Sequence, residues 1–261
     1  HEPSGREVDY PKEDVLQVSS WNIQFGLHID DIIQAIIQNN DLKNSDFIAL
    51  QEVTRNNKRA VYRDIVEELA TATGFGHAYG RSHLELNGDG YTSEVGNMIL
   101  SRHSINEPNI LTLSPGIDVY KSSRGKIVGG RIAISGRIAK NGKYFAVYCT
   151  HLEAFTSPQH RAKQLAEIIE DADKGYPSLP VVIAGDFNFG PLEPISSNGY
   201  LDFYDPFKDK RQSTSNTYIG RLLELRLDRI ISRGLELIDA KIHRDLPFSD
   251  HFPITAIYNS R

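Results

Sequence analysis

Acidic, amide and imidazole side chains stand at or near the ends of six apolar segments that are spread over most of the chain. Side chains of these types hold divalent cations and transfer protons in hydrolytic reactions. Because strand ends converge on one rigid scaffold, residues that are distant in the sequence can form a single site there. We therefore expect one site built from Asn22, Glu52, His151, Asp186, Asn188, Asp228, Asp250 and His251.

Each of these residues, taken alone, also has an ordinary structural interpretation. An asparagine after a strand, such as Asn22, is typical of a turn, and a single histidine such as His151 is more often a hydrogen-bonded structural residue. Asp228 is harder to explain in this way, because its apolar neighbours predict burial and a buried carboxylate requires a partner. His251 is a candidate for that partner. The joint occurrence of all six segments favours a catalytic site.

The elements that must position these residues alternate between strand and helix patterns. Apolar residues recur at helical spacing in three segments, namely Ile29 to Ile37, Tyr62 to Leu69, and Leu165 to Ile169 behind the start signal Ser157-Pro158. Short apolar runs predict eight strands at Val15–Trp21, Phe47–Leu50, Gly96–Leu100, Arg131–Ile138, Tyr144–Tyr148, Val181–Ala184, Arg226–Ile231 and Ile254–Tyr258. Asn141-Gly142 predicts a two-residue hairpin turn.

The balance of these elements indicates an α/β fold. Strands outnumber helices and several are joined by hairpins, which favours a mainly antiparallel sheet core with helices outside over a doubly wound parallel sheet. No internal repeat or long linker divides the chain. We expect a flexible, polar N-terminal arm at residues 1–14 and a single domain at residues 15–261.

The composition excludes several classes of protein. The chain of 261 residues is 39% hydrophobic and 24% charged, which is typical of a globular protein rather than a disordered or fibrous one. No run approaches the ~18 apolar residues of a membrane span, so we expect a soluble protein without integral membrane association. The single cysteine, Cys149, excludes an intramolecular disulfide framework and a zinc site made of thiolates. The net charge of −5 argues against coating nucleic acid through overall charge, although a local basic patch remains compatible with it.

Localisation does not follow from the sequence. The chain begins at His1 and carries no recognisable targeting segment, which is also what the removal of a leader peptide would leave. A chain of this length can bury a substantial core of its own, and we expect a monomer.

Seven short motifs, taken together, resemble those of the endonuclease/exonuclease/phosphatase superfamily. That superfamily includes deoxyribonuclease I, exonuclease III, the abasic-site endonucleases, a tyrosyl-DNA phosphodiesterase, neutral sphingomyelinases and inositol-polyphosphate 5-phosphatases. The motifs occur in the family's order, span about residues 18 to 258, and are specific for the superfamily rather than for a substrate. They are Ser20-Trp21-Asn22-Ile23, Leu50-Gln51-Glu52-Val53, Gly96-Asn97-Met98-Ile99-Leu100-Ser101-Arg102, Thr150-His151-Leu152-Glu153, Gly185-Asp186-Phe187-Asn188, Arg226-Leu227-Asp228-Arg229-Ile230 and Ser249-Asp250-His251-Phe252-Pro253.

The resemblance implies a four-layer α/β/β/α sandwich, in which two mainly antiparallel sheets pack together with helices outside and the site lies at one end. It also implies a metal-dependent phosphoester hydrolase that works by in-line attack of water. Glu52 resembles the family's principal metal carboxylate, with Asn22 beside it and Asp250 as a further ligand. The expected ion is Mg²⁺, with Mn²⁺ as a substitute, because these ions prefer hard oxygen ligands.

The resemblance also implies roles for the other motif residues. Asp186 corresponds to the group that orients and deprotonates the attacking water, and Asn188 to a hydrogen-bond donor to water or phosphate. His251, paired with Asp228, places an imidazolium against a phosphoryl oxygen, since the carboxylate raises the pKa of the imidazole. His151 supplies a second hydrogen bond to the same oxygens.

The sequence departs from the family pattern at Gln24, where several DNA-repair members carry an aspartate. The metal site therefore lacks one carboxylate that those members have. This favours a single, weakly held ion over a two-metal site.

Substrate choice is less clearly encoded. Two basic clusters either hold a phosphate backbone or are solvated surface charge, namely Arg55, Lys58, Arg59 and Arg63, and Lys121, Arg124, Lys126 and Arg131. The candidate substrate-binding residues are Arg55, Arg59, Arg131, Arg161 and Tyr218.

Three functional interpretations are compatible with these motifs. The favoured one is a nuclease or nucleic-acid phosphodiesterase, because the segments Leu225–Ile230 and Thr150–Glu153 are closest in wording to the tyrosyl-DNA phosphodiesterase and exonuclease III branch. The alternative is a phosphatase or phospholipase-type esterase acting on lipid or inositol phosphates. A non-catalytic binding scaffold is less favoured, because no catalytic motif residue is missing.

Overall fold

The computed structural model describes residues 15–86, 92–116, 126–190, 202–208 and 212–260. The arm expected at residues 1–14 lies outside them. The strands are β1 (Val15–Asn22), β2 (Phe47–Arg55), β3 (Gly76–Leu86), β4 (Thr92–Ser101), β5 (Ile105–Thr112), β6 (Lys126–Gly129), β7 (Ile132–Lys140), β8 (Lys143–His151), β9 (Val181–Asp186), β10 (Asp228–Arg233), β11 (Glu236–Ile242) and β12 (Ile254–Asn259). The helices are α1 (Ile29–Gln38), α2 (Asn40–Asn44), α3 (Ile65–Thr73), α4 (Pro158–Gly175) and α5 (Tyr218–Leu222), with single 3₁₀ turns at Gln24–Gly26 and Lys58–Ala60.

The strands form two sheets, as expected. The first has seven strands in the order β11-β12-β1-β2-β4-β3-β6, and the second has five in the order β10-β9-β8-β7-β5. The pairs β1–β2 and β8–β9 are parallel and the other pairs are antiparallel. The predicted mainly antiparallel fold is therefore confirmed.

Three apolar clusters separate four layers. One cluster lies between the two sheets, a second between the first sheet and helices α1 to α3, and a third between the second sheet and α4. In β2, Phe47 and Ala49 enter the first of these clusters while Ile48 and Leu50 enter the second. Since the strand is buried on both faces, its apolar run is continuous rather than alternating.

All eight strands expected from the apolar runs are present, and several extend further than the runs themselves. Asn22, Glu52, His151 and Asp186 lie within strands rather than in the loops that follow them. Backbone pairing continues through these polar residues because the ladder hydrogen bonds do not depend on side-chain type. The strands themselves therefore hold the motif side chains.

Strands β3, β5, β6 and β11 were not expected from the sequence. Strands β5, β6 and β11 lie at sheet edges, and β5 is mostly exposed. An edge strand has less apolar surface to bury, so its sequence gives a weak alternating pattern. Strand β3 is paired on both sides, but its sequence is rich in glycine, histidine and other polar residues.

Two details of the helix prediction were wrong. Ile37 was placed on the buried face of α1 but is 38% exposed. Tyr62 was placed in a helix that begins only at Ile65, where the side chain of Asp64 accepts a hydrogen bond from the amide of Glu67 at 3.1 Å. This N-cap fixes the helix start, because it satisfies an amide that has no partner within the first turn.

The hairpin at Asn141-Gly142 forms as predicted, between β7 and β8. Both residues have positive φ, 50° and 77°, as a type I′ turn requires. Within the described residues, no helix is long and apolar enough to cross a membrane.

A buried ionic cluster joins the sheets at the end away from these motif residues. Asp46, just before β2, accepts hydrogen bonds from Lys140 Nζ at 2.8 Å, His103 Nε2 at 2.7 Å and the amide of Gln17 at 2.8 Å. Lys140 belongs to the second sheet, and its ammonium group also donates to the carbonyl of Val15 at 2.6 Å. Asp46 is therefore the common acceptor for donors from both sheets.

We expect Asp46→Ala to lower the free energy of unfolding by about 3–5 kcal/mol, because it leaves the buried Lys140 ammonium without its carboxylate partner. Urea unfolding followed by circular dichroism measures this change. Glu170→Ala is the matched control, since its ion pair with Lys174 lies on the exposed face of α4 and should leave stability unchanged. Equal stability of both variants would contradict the role assigned to Asp46.

Candidate active site

Asp186 lies where three strands of the second sheet present polar side chains next to one another. It is the last residue of β9 and is paired in register with His151 on β8 and with Asp228 on β10. A Cβ atom on Gly185 would lie 1.9 Å from the carbonyl oxygen of Thr150, so only glycine allows this close approach beside the site. Three residues from separate motifs are thus brought together by strand pairing alone.

The first sheet contributes Asn22, the last residue of β1. Its Nδ2 donates to Oδ2 of Asp186 at 3.1 Å, while its Oδ1 accepts from the amide of Gln24 at 3.0 Å. The hydroxyl of Ser249 donates to the Asn22 carbonyl at 2.6 Å. Asn22 therefore links the two sheets at the site and also holds the loop that carries Asp250 and His251.

His251 and Asp228 form the ion pair that the sequence suggested. Nδ1 of His251 lies 2.8 Å from Oδ2 of Asp228, which is completely buried. Burial lowers the pKa of His251, but the charges of Asp228 and Asp186 outweigh this effect and raise it well above its usual value. The imidazole is therefore protonated, with Nε2 3.7 Å from Oδ2 of Asp186.

The carboxylate of Asp186 is held in a defined orientation. The amide of Asn188 donates to Oδ1 at 2.9 Å, and Oδ2 faces Asn22 and the two histidines. Burial raises the pKa of Asp186 and the charge of Asp228 adds to this, while the charge of His251 and the hydrogen bonds from Asn22 and Asn188 oppose it. Asp186 is thus a more basic carboxylate than an exposed one.

His151 lies next to the same carboxylate oxygen but carries no charge. Its Nε2 is 3.5 Å from Oδ2 of Asp186. Burial, together with the charges of Arg131, His251 and His83, lowers its pKa well below the usual value. The two imidazoles that face Asp186 therefore differ in protonation.

Glu52 reaches the site from a β-bulge in the first sheet. The register between β2 and β4 shifts between Leu50 and Val53, and Glu52 has a φ of 57°, in the left-handed region that non-glycine residues rarely adopt. Burial and the charge of Asp250 raise the pKa of this half-buried carboxyl to about 7, although the charges of His251 and Arg131 act in the opposite direction. Such local strain is typical of functional positions.

A buried cluster of three side chains could hold a cation. One ligand atom from each of Asp186, Asp228 and His251 lies within 4.8 Å of the others. However, a protonated His251 has no free nitrogen lone pair to offer, and its Nδ1 is already engaged by Asp228. This cluster fits a hydrogen-bonded chain better than a ligand set.

Glu52, Asp250 and Asn22 offer a better ligand set for a hard cation. All three have side-chain oxygens, which Mg²⁺ and Mn²⁺ prefer. Burial is the main cause of the raised pKa of Glu52, and the negative charge of Asp250 raises it further, so the two carboxylates repel each other. A divalent cation between them would relieve this repulsion, so the residues present fit such an ion.

The three arginines of the basic cluster that follows Glu52 are paired with carboxylates. Its arginines stand in ion pairs, namely Arg55 with Asp64 at 3.2 Å, Arg59 with Glu85 at 2.8 Å, and Arg63 with Asp30 and Glu68. Their net attraction for a polyanion is reduced accordingly.

Arg131 is a candidate substrate-binding residue whose charge affects Glu52 and His151. Its side chain is 13% exposed and has Glu153 at 3.5 Å as an ion-pair partner. Its charge lowers the pKa values of His151 and Glu52, and burial and Arg131 together lower that of His83 to about 4. The sequence did not single out His83, because one histidine in the unexpected strand β3 gives no signal of its own.

The other expected contacts are occupied differently or lie outside the described residues. Arg161, a candidate substrate-binding residue, is buried, and its Nη1 donates to the carbonyl of Thr156 at 3.0 Å and to two further carbonyls of the loop after His151. Asn188 Nδ2 donates to the carbonyl of Leu152 at 3.0 Å, so one N–H of this amide braces the backbone. The side chains of Tyr218 and Lys126, and all of Lys121 and Arg124, lie outside the described part of the chain.

Two packed sheets that bring buried carboxylates, a histidine–aspartate pair and a neutral histidine to one end define a hydrolase-type site. A sequence profile of the Endonuclease/Exonuclease/phosphatase family matches residues 19–251. The chain belongs to this family, and it is therefore a hydrolase of the phosphoesterase and nuclease superfamily. Among curated proteins, none matches the sequence significantly.

Solved structures show the same fold at low sequence identity. An endonuclease/exonuclease/phosphatase from Beutenbergia cavernae superposes with a TM-score of 0.72 at 20% identity, covering 94% of this chain and 72% of that chain. The human Nocturnin catalytic domain with bound sulfate gives 0.68 at 17% identity, with 94% and 93% covered. The D. rerio TDP2 structure complexed with single strand DNA product gives 0.67 at 19% identity, with 94% and 99% covered.

We expect Glu52→Gln to stabilise the metal-free protein by about 1–3 kcal/mol at pH 8, because it removes a carboxylate that is disfavoured by burial and by the negative charge of Asp250. Folding raises the pKa of Glu52 from 4.5 to about 7, so its contribution is favourable below pH 4.5 and is lost as the pH rises through 7. The gain should therefore vanish at pH 4.5. Urea unfolding at both pH values, in EDTA, measures it.

Glu170→Gln on the exposed face of α4 is the control and should behave like the unaltered protein at both pH values. A Glu52→Gln variant that is equally stabilised at pH 4.5 and pH 8 would contradict the electrostatic explanation.

Proposed function

We propose that the protein is a divalent-metal-dependent phosphodiesterase that acts on nucleic acid by in-line attack of water. The observation that carries this proposal is the arrangement around Asp186, a buried basic carboxylate between a protonated and a neutral histidine. The charges of Asp250 and Asp186 both raise the pKa of Glu52, and we infer that Glu52 and Asp250 form the anionic half of a cation site.

Asp186 is suited to orient and deprotonate the attacking water. Its orientation is fixed by Asn22 and by the amide of Asn188, and its raised pKa increases its affinity for a proton. The proton of the water passes to the Asp186 carboxylate as the oxygen attacks phosphorus. His151, uncharged at neutral pH, can donate one hydrogen bond without competing for that proton.

His251 is suited to stabilise the charge that builds up on the phosphoryl oxygens. Because the Nδ1–H of His251 donates a hydrogen bond to Asp228, its Nε2–H faces the opposite direction, toward Asp186 and the proposed position of the substrate. A protonated imidazole held in this way is an oriented, charged donor, and donors of this kind contribute roughly 3–4 kcal/mol to a transition state.

The cation, Mg²⁺ or Mn²⁺, would be held by Glu52 and Asp250 with Asn22 beside them. When bound, it neutralises phosphoryl charge and helps the leaving oxygen depart. Gln24, in place of a further carboxylate, leaves few anionic ligands, so we infer one weakly held ion rather than two.

Nucleic acid is the favoured substrate for two reasons. The motif wording is closest to the branch that acts on DNA ends, and the D. rerio TDP2 structure with the same fold is complexed with single strand DNA product. Arg131 places a positive charge beside the catalytic side chains, where a phosphate of the substrate would lie.

We expect hydrolysis of bis(p-nitrophenyl) phosphate and of single-stranded DNA in Mg²⁺ or Mn²⁺, and none after EDTA treatment. Asp186→Asn should lower kcat by about 10²–10⁴-fold on both substrates, because it removes the proton acceptor. Asp173→Asn, on the exposed side of α4, is the control. Duplex DNA, RNA, sphingomyelin and inositol phosphates complete the substrate panel.

Full activity in EDTA would overturn the metal requirement, and near-normal turnover by a folded Asp186→Asn protein would overturn its role. Preferential cleavage of sphingomyelin or an inositol phosphate would replace the nucleic-acid assignment with that of a lipid or sugar phosphoesterase.

We expect the affinity for Mn²⁺ to increase roughly tenfold between pH 6 and pH 8, because Glu52 must lose its proton to bind the ion. The pKa of about 7 for this carboxyl places the change in that interval. Isothermal titration calorimetry measures it. In Glu52→Gln the affinity should be lower and nearly independent of pH, and a variant with the unaltered pH dependence would exclude Glu52 as a ligand.

A further inference from the structure

Two exposed arginines hold the ring of Phe252 between them. Cζ of Arg221 lies 5.2 Å from the ring centroid and Cζ of Arg244 lies 5.6 Å from it. Phe252 directly follows His251 and is completely buried. Because stacking fixes the plane of a guanidinium while leaving N–H groups free, both charges are held beside the catalytic loop.

Arg221 is also connected to that loop by hydrogen bonds. Its guanidinium donates to Oδ1 of Asn216, whose Nδ2 donates to the carbonyl of Ser249 at 2.9 Å. The backbone amide of Asn216 donates to the carbonyl of Asp250 at 2.5 Å. Asn216 therefore connects Arg221 through hydrogen bonds to the segment that carries Asp250 and His251.

Neither Arg221 nor Arg244 forms an ion pair with a carboxylate in the described part of the chain. This distinguishes them from Arg55, Arg59 and Arg63, which all have carboxylate partners. An exposed arginine without such a partner keeps its full attraction for an anion.

Exposed apolar residues directly follow Arg221 in the chain. Leu222 and Leu223 follow Arg221 and are 68% and 55% exposed. A free phosphate gains nothing from exposed leucines, whereas a nucleobase can pack its face against them while its phosphate binds arginine. In a duplex that face is covered by stacking, so the combination suits a single strand.

We propose that Arg221 and Arg244 bind backbone phosphates of a single-stranded nucleic acid that extends from the scissile phosphate past His251, with bases packed on Leu222 and Leu223. This inference rests on the proposed function. It attributes the affinity for a long substrate to Arg221 and Arg244, rather than to the basic cluster that follows Glu52.

The test compares a short and a long substrate. Cleavage of bis(p-nitrophenyl) phosphate requires the catalytic residues alone, whereas a single strand of about twelve nucleotides is long enough to occupy the additional phosphate contacts as well. For the double variant Arg221→Gln/Arg244→Gln we expect kcat/KM to fall at least about tenfold more on the twelve-nucleotide strand than on the diester.

Binding gives an independent measurement in an Asp186→Asn background, where the strand is not cut. The dissociation constant follows from fluorescence anisotropy at several salt concentrations. Each lost phosphate contact should reduce the slope of log K against log salt by about 0.7. Arg244→Lys should keep most of the slope, because the charge remains.

Arg233→Gln is the matched control. Arg233 also stacks on a phenylalanine, with Cζ 5.0 Å from the ring of Phe203, and it pairs with Asp173. It ends β10, whereas Asp228 of the site begins that strand. Its replacement should change neither the salt slope nor the ratio of the two activities.

Three results would overturn the inference. The first is an equal loss on both substrates, which would show that the arginines only position the catalytic loop through Asn216. The second is an unchanged salt slope in the double variant. The third is that the substitutions abolish binding to phosphatidylserine vesicles and leave strand binding intact. If the unaltered protein cleaves neither substrate, the proposed function fails, and the anisotropy measurement still decides whether the arginines bind the strand.

Discussion

The rest of the site depends on the burial of several carboxylates around one protonated histidine. Asp186 and Asp228 are withdrawn from water in adjacent strands, and Glu52 and Asp250 approach from the other sheet and from the loop before β12. Burying like charges is unfavourable unless a positive charge or a hydrogen-bond donor compensates each of them. The positive charge of His251 and the hydrogen bond from the Asn22 amide both stabilise the ionised form of Asp186. The proposed cation would relieve the repulsion that remains between the carboxylates.

Because burying like charges costs free energy, packing elsewhere in the fold must compensate for it. Three apolar clusters pack between the layers, and the buried ionic cluster around Asp46 connects the two sheets at the opposite end. Near the site, the indole of Trp21 donates to the carbonyl of His251 at 3.1 Å, which anchors the catalytic loop to the first sheet. The catalytic side chains are therefore placed by strands and by buried donors rather than by free loops.

The distribution of ion pairs is as informative as the distribution of charges. Counting basic residues draws attention to the segment after Glu52, yet its arginines are matched by acidic residues from α1, α3 and β3. Arg221 and Arg244 are separated in the sequence by β10 and β11 and belong to no basic run. In the structure, both guanidinium groups stack on the ring of Phe252. Which arginines remain available to an anion is a property of long-range packing, and composition does not report it.

The sequence alone determined the fold class, the strands that are buried on both faces, the hairpin at Asn141-Gly142 and the identity of the polar residues that meet around Asp186. These features are local, because an apolar run, a turn dipeptide or a motif is complete within a few neighbouring residues. Only the tertiary structure decided the bulge that directs Glu52, the edge strands, the burial of Arg161 and the opposite protonation of His151 and His251. The reason is that pKa values, ion pairing and backbone irregularities depend on the field and packing of residues from distant segments, which become neighbours only when the two sheets come together.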